Sequence, residues 1–497
     1  MSQLIDIRSI EENAIRSGKW ALLAKISQVL GGSVLFLILP FWLSPNDFGI
    51  ITMFTSVLAF ILIMQQPGLM ESVIQNEENS EKVRDAGYWL SLLVSMFLYL
   101  FIYILSPMIS RYFNQAELVI SLRVVGLQIV LLGFSNIPMA WLQREFQYKS
   151  YALIQLTSST LMVIVSIYLA IRGMGYWSYI IGILSGAFIR SVLVIVFIKW
   201  KPAFRFNLFW WAIILKFGFF VLLEMILGWF LIWFDNVIVA KYMGSNAAGI
   251  YALAFNISTT VISIPISAIT GVTLSTFSRL QQNLQLLQKA YLKGTKIIAS
   301  YAIPACLGFS IIGPTLINLI YPGRWDGIAE ILPILSLYAG FGQLWILNTD
   351  AFKAIGKPNI MIKIYIPVVI IMVPLFLIGS QLGLFIFTLI RSLVIIIGAI
   401  PQTYFAIKCL GLEKNYLFKI IKTPMISSFG MLISIWLLNQ VVLSVKIESF
   451  SIQLLMIIIS IVISCAIYVM VYKLVEPAST MEFMTILQKT MRDRYEK

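Results

Sequence analysis

Five charged side chains inside long apolar segments are the residues of this sequence best suited to chemistry. Arg190 and Arg391 stand about 200 residues apart, and each lies between an isoleucine and a serine. A guanidinium can donate two parallel hydrogen bonds to phosphate oxygens, so this pair predicts a binding site for phosphate or sugar, with Lys25 as a third cation. The two acids, Glu224 and Asp235, are predicted ligands for a coupling cation or for sugar hydroxyls.

An ionisable group in the hydrocarbon core of a membrane is costly, so such groups normally face a cavity or a partner. The favoured interpretation is that all five side chains line a central cavity. Two alternatives remain open. Some of the five could form intramembrane ion pairs that lock helices together, and Lys25 could extend its ammonium group to the lipid headgroups.

The composition predicts that membrane-spanning helices carry these residues. Of the 497 residues, 60% are hydrophobic and 12% are charged, which is about half the charge of a soluble domain. Several apolar runs last about 20 residues, the length of helix that crosses the hydrocarbon core of a bilayer. Open sheet edges cannot lie in lipid, and alternating strands of about ten residues are not visible, so the predicted fold class is all-α integral membrane.

Fourteen transmembrane helices are predicted from the apolar runs. Their bounds are 19–43, 47–70, 86–109, 118–142, 150–171, 176–199, 209–236, 248–274, 291–321, 327–352, 359–380, 382–406, 417–443 and 451–474. With the N-terminus cytoplasmic, 28 of the 36 Lys and Arg residues fall on the cytoplasmic side, 6 fall on the other side and 2 lie within helices. This asymmetry is typical of multi-pass proteins and predicts that both termini are cytoplasmic.

Two pairs of similar segments indicate an internal duplication. Ser44–Ile50 resembles Gly244–Ile250, and the sequence around Arg190 resembles that around Arg391 with nearly the same offset. Six helices per copy give parallel repeats, which typically place substrate at their interface and rock against each other. The predicted organisation is a cytoplasmic N-terminal segment (1–18), an N-lobe of helices 1–6 (19–200), a C-lobe of helices 7–12 (201–408), helices 13–14 (409–475) and a cytoplasmic amphipathic tail (476–497).

The distribution of charge and the absence of histidine argue against other classes of function. The net charge of +14 is spread over short connections rather than gathered in one patch, which disfavours nucleic acid as a partner. The chain has no histidine, so histidine-based metal sites, general bases and proton relays are excluded, and no cofactor is predicted. The acidic and basic residues between Glu71 and Asp85 are typical of a solvated loop.

Motifs along helices 1–10 resemble those of a known family, and Phe234–Asn256 is the strongest of them. The others are Leu43–Ile50, Pro67–Gln75, Gln143–Lys149, Phe277–Gln281 and Gly323–Trp325. In this order they resemble the Wzx-type and colanic-acid-exporter-like polysaccharide flippases of the multidrug/oligosaccharidyl-lipid/polysaccharide transporter superfamily.

The resemblance implies a specific transport function. Undecaprenyl-diphosphate-linked oligosaccharide repeat units would move by alternating access from the cytoplasmic to the outer leaflet of a bacterial inner membrane, for the assembly of surface polysaccharide such as lipopolysaccharide. Coupling to a proton or sodium gradient, membrane lipid and a polysaccharide polymerase complex as partners, and the absence of an enzymatic step are further implications. The related lipid II flippases have fourteen helices, of which the last two form a groove for the lipid tail.

Three other functions compete with this interpretation. A lipid II-type flippase would carry out the same chemistry on a different headgroup. A cation-coupled drug antiporter of the same superfamily would have twelve helices and an acidic, apolar cavity. A glycan polymerase or ligase would need catalytic groups in a substantial outer loop, whereas the outer connections predicted here are short.

Overall fold

The computed structural model describes residues 20, 23–24, 31–32, 35–65, 80–198, 200, 202–203, 208–444 and 449–477. This part of the chain is built from helices and contains no β-strand, which confirms the all-α fold class. The chain forms two compact units, Met1–Leu253 and Ala254–Lys497. The predicted lobe boundary near residue 200 was inferred from the duplicated sequence, whereas these units are defined by compactness. The lobe assignment therefore stays a prediction.

Fourteen α-helices can be traced along the described residues. They are α1 (Pro45–Gln65), α2 (Ser80–Phe113), α3 (Glu117–Val125), α4 (Leu127–Arg144), α5 (Tyr148–Ile171), α6 (Trp177–Phe197), α7 (Leu208–Leu280), α8 (Leu284–Ile320), α9 (Ile328–Gly342), α10 (Leu347–Ala354), α11 (Asn359–Gly379), α12 (Leu384–Leu410), α13 (Tyr416–Ser444) and α14 (Phe450–Val475).

These helices do not correspond one to one with the predicted spans. Twelve segments of the described chain are long and apolar enough to cross a membrane, so the protein is a multi-pass membrane protein. Predicted helices 7 and 8 are joined in α7, whose backbone leaves the helical region at Gly244 (φ 84°, ψ 177°). Predicted helix 1 (19–43) is described only in part, and the N-terminal segment and most of the tail lie outside the described residues, so the count of fourteen spans stays a prediction.

The sequence at the start of α1 explains how the first copy of the duplicated segment begins a helix. The backbone N–H of Asp47 donates to Ser44 Oγ (3.2 Å), and the N–H and hydroxyl of Ser44 donate to Asp47 Oδ2 (3.0 and 2.6 Å). This is a capping box with Pro45 at the first helical position. The second oxygen of Asp47 accepts the backbone N–H of Tyr176 (3.1 Å), so the cap also ties α1 to the start of α6.

The two copies of the duplicated segment pack against each other within the first unit. A β-carbon on Gly49 would lie 1.9 Å from the carbonyl oxygen of Ser245, and one on Gly249 would lie 1.9 Å from that of Pro45. The contact is reciprocal, because these four residues are two pairs of equivalent positions in the repeat. The hydroxyl of Ser245 also donates to the side-chain oxygen of Asn46. Backbones can approach this closely only where a side chain is missing.

Buried polar contacts and small residues hold the remaining helices of the first unit together. The Gln65 side-chain amide at the end of α1 donates to Ser95 Oγ on α2 and to the carbonyl of Ile129 on α4, both at 2.7 Å. Helices α5 and α6 meet where Gly182 faces Ser166, whose hydroxyl leaves no room for a β-carbon. Small residues of this kind are typical of helix interfaces in membranes, where close packing replaces the hydrophobic effect.

The second unit packs around a buried core that includes Tyr291 on α8 and Phe352 on α10. Two polar side chains inside this core are paired: the Tyr291 hydroxyl donates to Asn348 Oδ1 (2.5 Å), and the Trp345 indole donates to Thr403 Oγ1 (2.9 Å). Helices α13 and α14 pack on each other and on α8. The end of α14 is held on α8 by an ion pair between Lys296 and Glu476.

Candidate functional site

Arg190 lies in the middle of α6 with its guanidinium directed at α4. The hydroxyl of the next residue, Ser191, donates to the carbonyl of Leu131 at 2.7 Å, which fixes the rotation of α6 against α4. Arg190 Nη2 then lies 3.5 Å from Asn136 Oδ1, a long hydrogen bond at the limit of the usual range. Asn136 is 2% exposed, so this contact is made in the interior of the first unit.

The contact between Arg190 and Asn136 leaves two buried nitrogen donors without acceptors. Within the described chain, neither Arg190 Nε nor Asn136 Nδ2 has a hydrogen-bond partner. Asn136 is the sole hydrogen-bond partner of Arg190 among these residues, and no carboxylate there lies within 4.0 Å of the guanidinium. Because a buried donor without an acceptor is costly, this pair of donors favours an oxygen-rich, anionic ligand.

Arg391 occupies the corresponding place in the second unit but has different surroundings. The hydroxyl of Ser392 donates to the carbonyl of Ile334 on α9 (3.3 Å), as the hydroxyl of Ser191 does to a carbonyl of α4. The Arg391 guanidinium carbon lies 4.2 Å from the ring centre of Tyr338, and the residue is 2% exposed. The ring of Tyr338 therefore covers the guanidinium. The role of Arg391 in binding phosphate or sugar stays a prediction.

Asp235 lies on α7 and is held by neutral donors. Its carboxylate accepts the hydroxyl of Tyr251 at 2.7 Å and both the backbone and side-chain N–H of Asn236 at 2.8 and 2.9 Å. The residue is 1% exposed. Hydrogen bonds of this kind stabilise a buried carboxylate, and its oxygens are chemically suited to a small cation.

Neither Glu224 nor Arg190 is brought to this carboxylate. Glu224 lies on α7 three turns before Asp235 and is half-buried. At 1.5 Å per residue the two acids share a face but stand roughly 16 Å apart, too far to bind one ion together. Arg190 contacts neither acid. Lys25 lies outside the described residues, so its predicted role in the site stays untested.

Sequence reasoning missed three partners of these residues, namely Asn136, Asn236 and Tyr251. Asn236 and Tyr251 belong to the strongest of the family motifs, but nothing in the motif itself shows that the tyrosine folds back onto Asp235. Asn136 is the one amide side chain in the apolar middle of α4 (129–142), two residues before Pro138. A polar residue inside an apolar helix normally has a hydrogen-bond partner, so Asn136 could have been predicted from the sequence as a site residue.

One open groove of the described chain, between α4 and α6, contains none of these groups. Its volume is about 440 Å³. Its walls are almost entirely apolar, with Leu131, Leu184 and Phe188 among them. A surface of this kind suits a hydrocarbon chain rather than a glycan.

Replacing Tyr251 with phenylalanine is expected to destabilise the fold by about 1–3 kcal/mol, because a buried carboxylate loses a donor while the space stays filled. Thermal melting of the purified protein measures this loss. Tyr242, a half-exposed tyrosine on the same helix, is the matched control, and Tyr242→Phe should melt with the wild type. Equal melting of Tyr251→Phe and wild type would show that the hydroxyl contributes nothing to holding Asp235.

Comparison with protein families gives one match that covers more than half of the chain. The model for a family described as polysaccharide biosynthesis protein matches residues 38–330. Among the curated relatives, the lipopolysaccharide biosynthesis protein WzxC of Escherichia coli K12 is 22% identical over 384 residues, 76% of this chain and 77% of that protein. The succinoglycan biosynthesis transport protein ExoT of Rhizobium meliloti is 22% identical over 341 residues, 68% of each chain.

Comparison with solved structures shows the fold. The lipid II flippase MurJ in an inward closed conformation superposes with a TM-score of 0.74 and 17% identity, covering 93% of this chain and 99% of that one. An inward-facing multidrug resistance MATE family transporter of the MOP superfamily gives a TM-score of 0.63 and 19% identity, covering 79% and 95%. At these identities the likeness concerns the arrangement of the helices alone.

Proposed function

Because the chain belongs to the family of polysaccharide biosynthesis proteins, we propose that it is a flippase for undecaprenyl-diphosphate-linked oligosaccharide repeat units. The family assignment predicted from the motifs is thereby confirmed. In the proposed reaction the glycan and its diphosphate cross from the cytoplasmic to the outer leaflet, and no covalent bond is made or broken. The observation that carries the proposal is the pair of buried donors on Arg190 and Asn136.

The chemistry of these donors fits the diphosphate rather than the sugar or the lipid tail. A diphosphate offers several anionic oxygens, and an arginine with a free Nε can bind them with two hydrogen bonds. An adjacent amide N–H adds a third donor without adding charge. A cationic drug would be repelled by this site, which counts against the antiporter alternative.

The energy source and the surroundings of the transporter are part of the same proposal. A proton or sodium ion bound at Asp235 would couple an ion gradient to transport, with the half-buried Glu224 as a second candidate. Arg391 and Lys25 would contribute positive charge on the substrate pathway. The protein would lie in the bacterial inner membrane with both termini cytoplasmic, surrounded by lipid and associated with a polysaccharide polymerase complex.

The test is transport by the purified full-length protein in lipid vesicles. A fluorescent undecaprenyl-diphosphate oligosaccharide is placed in both leaflets, and a membrane-impermeant quencher reports the fraction in the outer leaflet over time. Wild type is expected to redistribute this lipid faster than protein-free vesicles, and an imposed sodium or proton gradient is expected to accelerate wild type but not Asp235→Asn.

Parallel vesicles with lipid II or a fluorescent cationic drug separate the competing functions. Movement of lipid II alone would transfer the proposal to a lipid II-type flippase. Movement of the drug alone would replace it with antiport. A gradient effect that persists in Asp235→Asn would remove this carboxylate from the coupling mechanism while leaving the flippase proposal intact.

A further inference from the structure

A cluster of charged and aromatic side chains that the proposed function does not use lies where α2 begins. Arg84 and Asp85 on α2 are 8% and 4% exposed, although their sequence neighbourhood predicted a solvated loop. That interpretation was wrong for these two residues because aromatic side chains from distant parts of the chain cover them. The tryptophan clamp, as we call this cluster, consists of Arg84, Asp85, Trp89, Trp141, Trp200 and Trp211.

The charged pair at the centre of the clamp is enclosed by two indole rings. Arg84 Nε lies 3.4 Å from Asp85 Oδ1. The guanidinium carbon of Arg84 lies 4.3 Å from the ring centre of Trp141, at the end of α4, and 4.5 Å from that of Trp200. The cation is therefore held between two aromatic faces, an arrangement in which stacking and charge attraction add together.

Three indole N–H groups tie the connection between α6 and α7, and the start of α7, to α2. Trp200 in this connection donates to Asp85 Oδ1 (2.9 Å). Trp89 on α2 donates to the carbonyl of Ala203 in the connection (2.9 Å), and Trp211 on α7 donates to the carbonyl of Ala86 (3.0 Å). Two of these bonds thus fall within residues 198–207, at Trp200 and Ala203, and the third falls just after them, at Trp211.

A buried ion pair adds little net stability to a fold, because apolar side chains of the same volume would stabilise it at least as much. The attested use of such pairs is to fix one geometry among several. Here the pair and its neighbours fix where Trp200 and Ala203 of the α6–α7 connection, and Trp211 at the start of α7, lie against α2. In the predicted organisation the α6–α7 connection is the covalent connection between the N-lobe and the C-lobe.

We propose that Arg84, Asp85 and Trp200 are positioning residues that hold the α6–α7 connection on α2, so that it moves with the first unit during transport. This inference rests on the proposed function for its role in transport, but not for the clamp itself. The start of α7 is then held in one orientation against α2, and rocking of the lobes is transmitted to substrate translocation. Loss of the clamp should slow the transport step while leaving substrate binding unchanged.

The first measurement is hydrogen–deuterium exchange of backbone amides in residues 198–207 of the full-length protein, which does not depend on transport. Trp200→Ala removes both the indole donor and the ring over Arg84. We expect its exchange to be at least tenfold faster than in wild type, since several mutually dependent contacts are lost. Trp200→Phe keeps the aromatic face and should show a smaller increase, about fivefold. Unchanged exchange in Trp200→Ala would overturn the clamp.

The second measurement is the initial rate of lipid redistribution at increasing substrate concentration. Trp200→Ala is expected to lower the maximal rate five- to tenfold with an unchanged half-saturating concentration, and Trp200→Phe should restore most of that rate. Trp436→Phe, at an exposed position on α13, is the matched control. A faster-exchanging Trp200→Ala variant that transports at the wild-type rate would reduce the clamp to a structural contact.

Failure of the proposed function has a different signature. If wild type moves none of the tested lipids, the flippase proposal fails, while the exchange data still decide whether the clamp holds the connection. Thermal melting accompanies each variant, so a global loss of fold is recognised by a shift in melting and by faster exchange in all helices rather than in residues 198–207 alone.

Discussion

Replacement of Arg190 with glutamine is expected to lower the rate of glycan-lipid translocation by about 10- to 150-fold while the protein stays folded. The guanidinium offers a free Nε beside the free amide N–H of Asn136, and hydrogen bonds to a charged group contribute about 1.5–3 kcal/mol. Each 1.36 kcal/mol corresponds to a factor of ten in rate. Glutamine keeps much of the volume of the side chain but removes its charge and its fork of donors.

Two further variants sharpen this prediction. Arg190→Lys keeps the charge but loses the two-pronged geometry, so its rate should fall between wild type and Arg190→Gln. Asn136→Asp is nearly isosteric and places a carboxylate against the guanidinium, where it would compete with the anionic substrate. It should therefore inhibit at least as strongly as Arg190→Gln.

The measurement is the vesicle assay with the fluorescent glycan lipid, and the control is an arginine outside the candidate site. Arg172 is exposed in the connection between α5 and α6, where it contacts Tyr168, so Arg172→Gln should transport at the wild-type rate. Wild-type transport by a well-folded Arg190→Gln protein would return this arginine to a structural role. Arg391→Gln should reduce the rate less, because Tyr338 covers that guanidinium.

The second large effect is expected at the crossing of the duplicated segments. Replacing Gly49 or Gly249 with alanine places a methyl group 1.9 Å from a backbone carbonyl oxygen, and no change of rotamer can relieve that clash. Overpacking of this kind costs about 1–3 kcal/mol, and a collision with backbone belongs at the upper end. We therefore expect each single variant to melt several degrees below wild type.

The double variant and a matched glycine test the geometry of this crossing. Both methyl groups act on the same contact, so the loss in Gly49→Ala/Gly249→Ala should be smaller than the sum of the single losses. Gly228 also lies within α7, but a β-carbon there would meet nothing within 4 Å. Gly228→Ala should stabilise slightly, by roughly 0.5–1 kcal/mol, since alanine favours helix. Gly49→Ala that melts like Gly228→Ala would contradict the close approach.

Local information in the sequence was sufficient for the fold class and for the positions of most helices. A helix that crosses a membrane is recognised from about 20 consecutive apolar residues, because each backbone polar group is satisfied within the helix itself. The helix bounds followed from the same signal. The duplicated segments were visible as sequence, and their resemblance was enough to make Gly49 and Gly249 equivalent before any contact between them was known.

Tertiary structure alone decided what each charged residue contacts. Arg190 and Arg391 have matching neighbours in sequence, yet one lies beside Asn136 with free donors and the other beneath the ring of Tyr338. Arg84 and Asp85 read as loop residues and are buried. The reason is physical: hydropathy and helix periodicity are properties of adjacent residues, whereas the acceptor for a guanidinium or the cover over an ion pair comes from helices dozens of residues away, whose approach depends on packing.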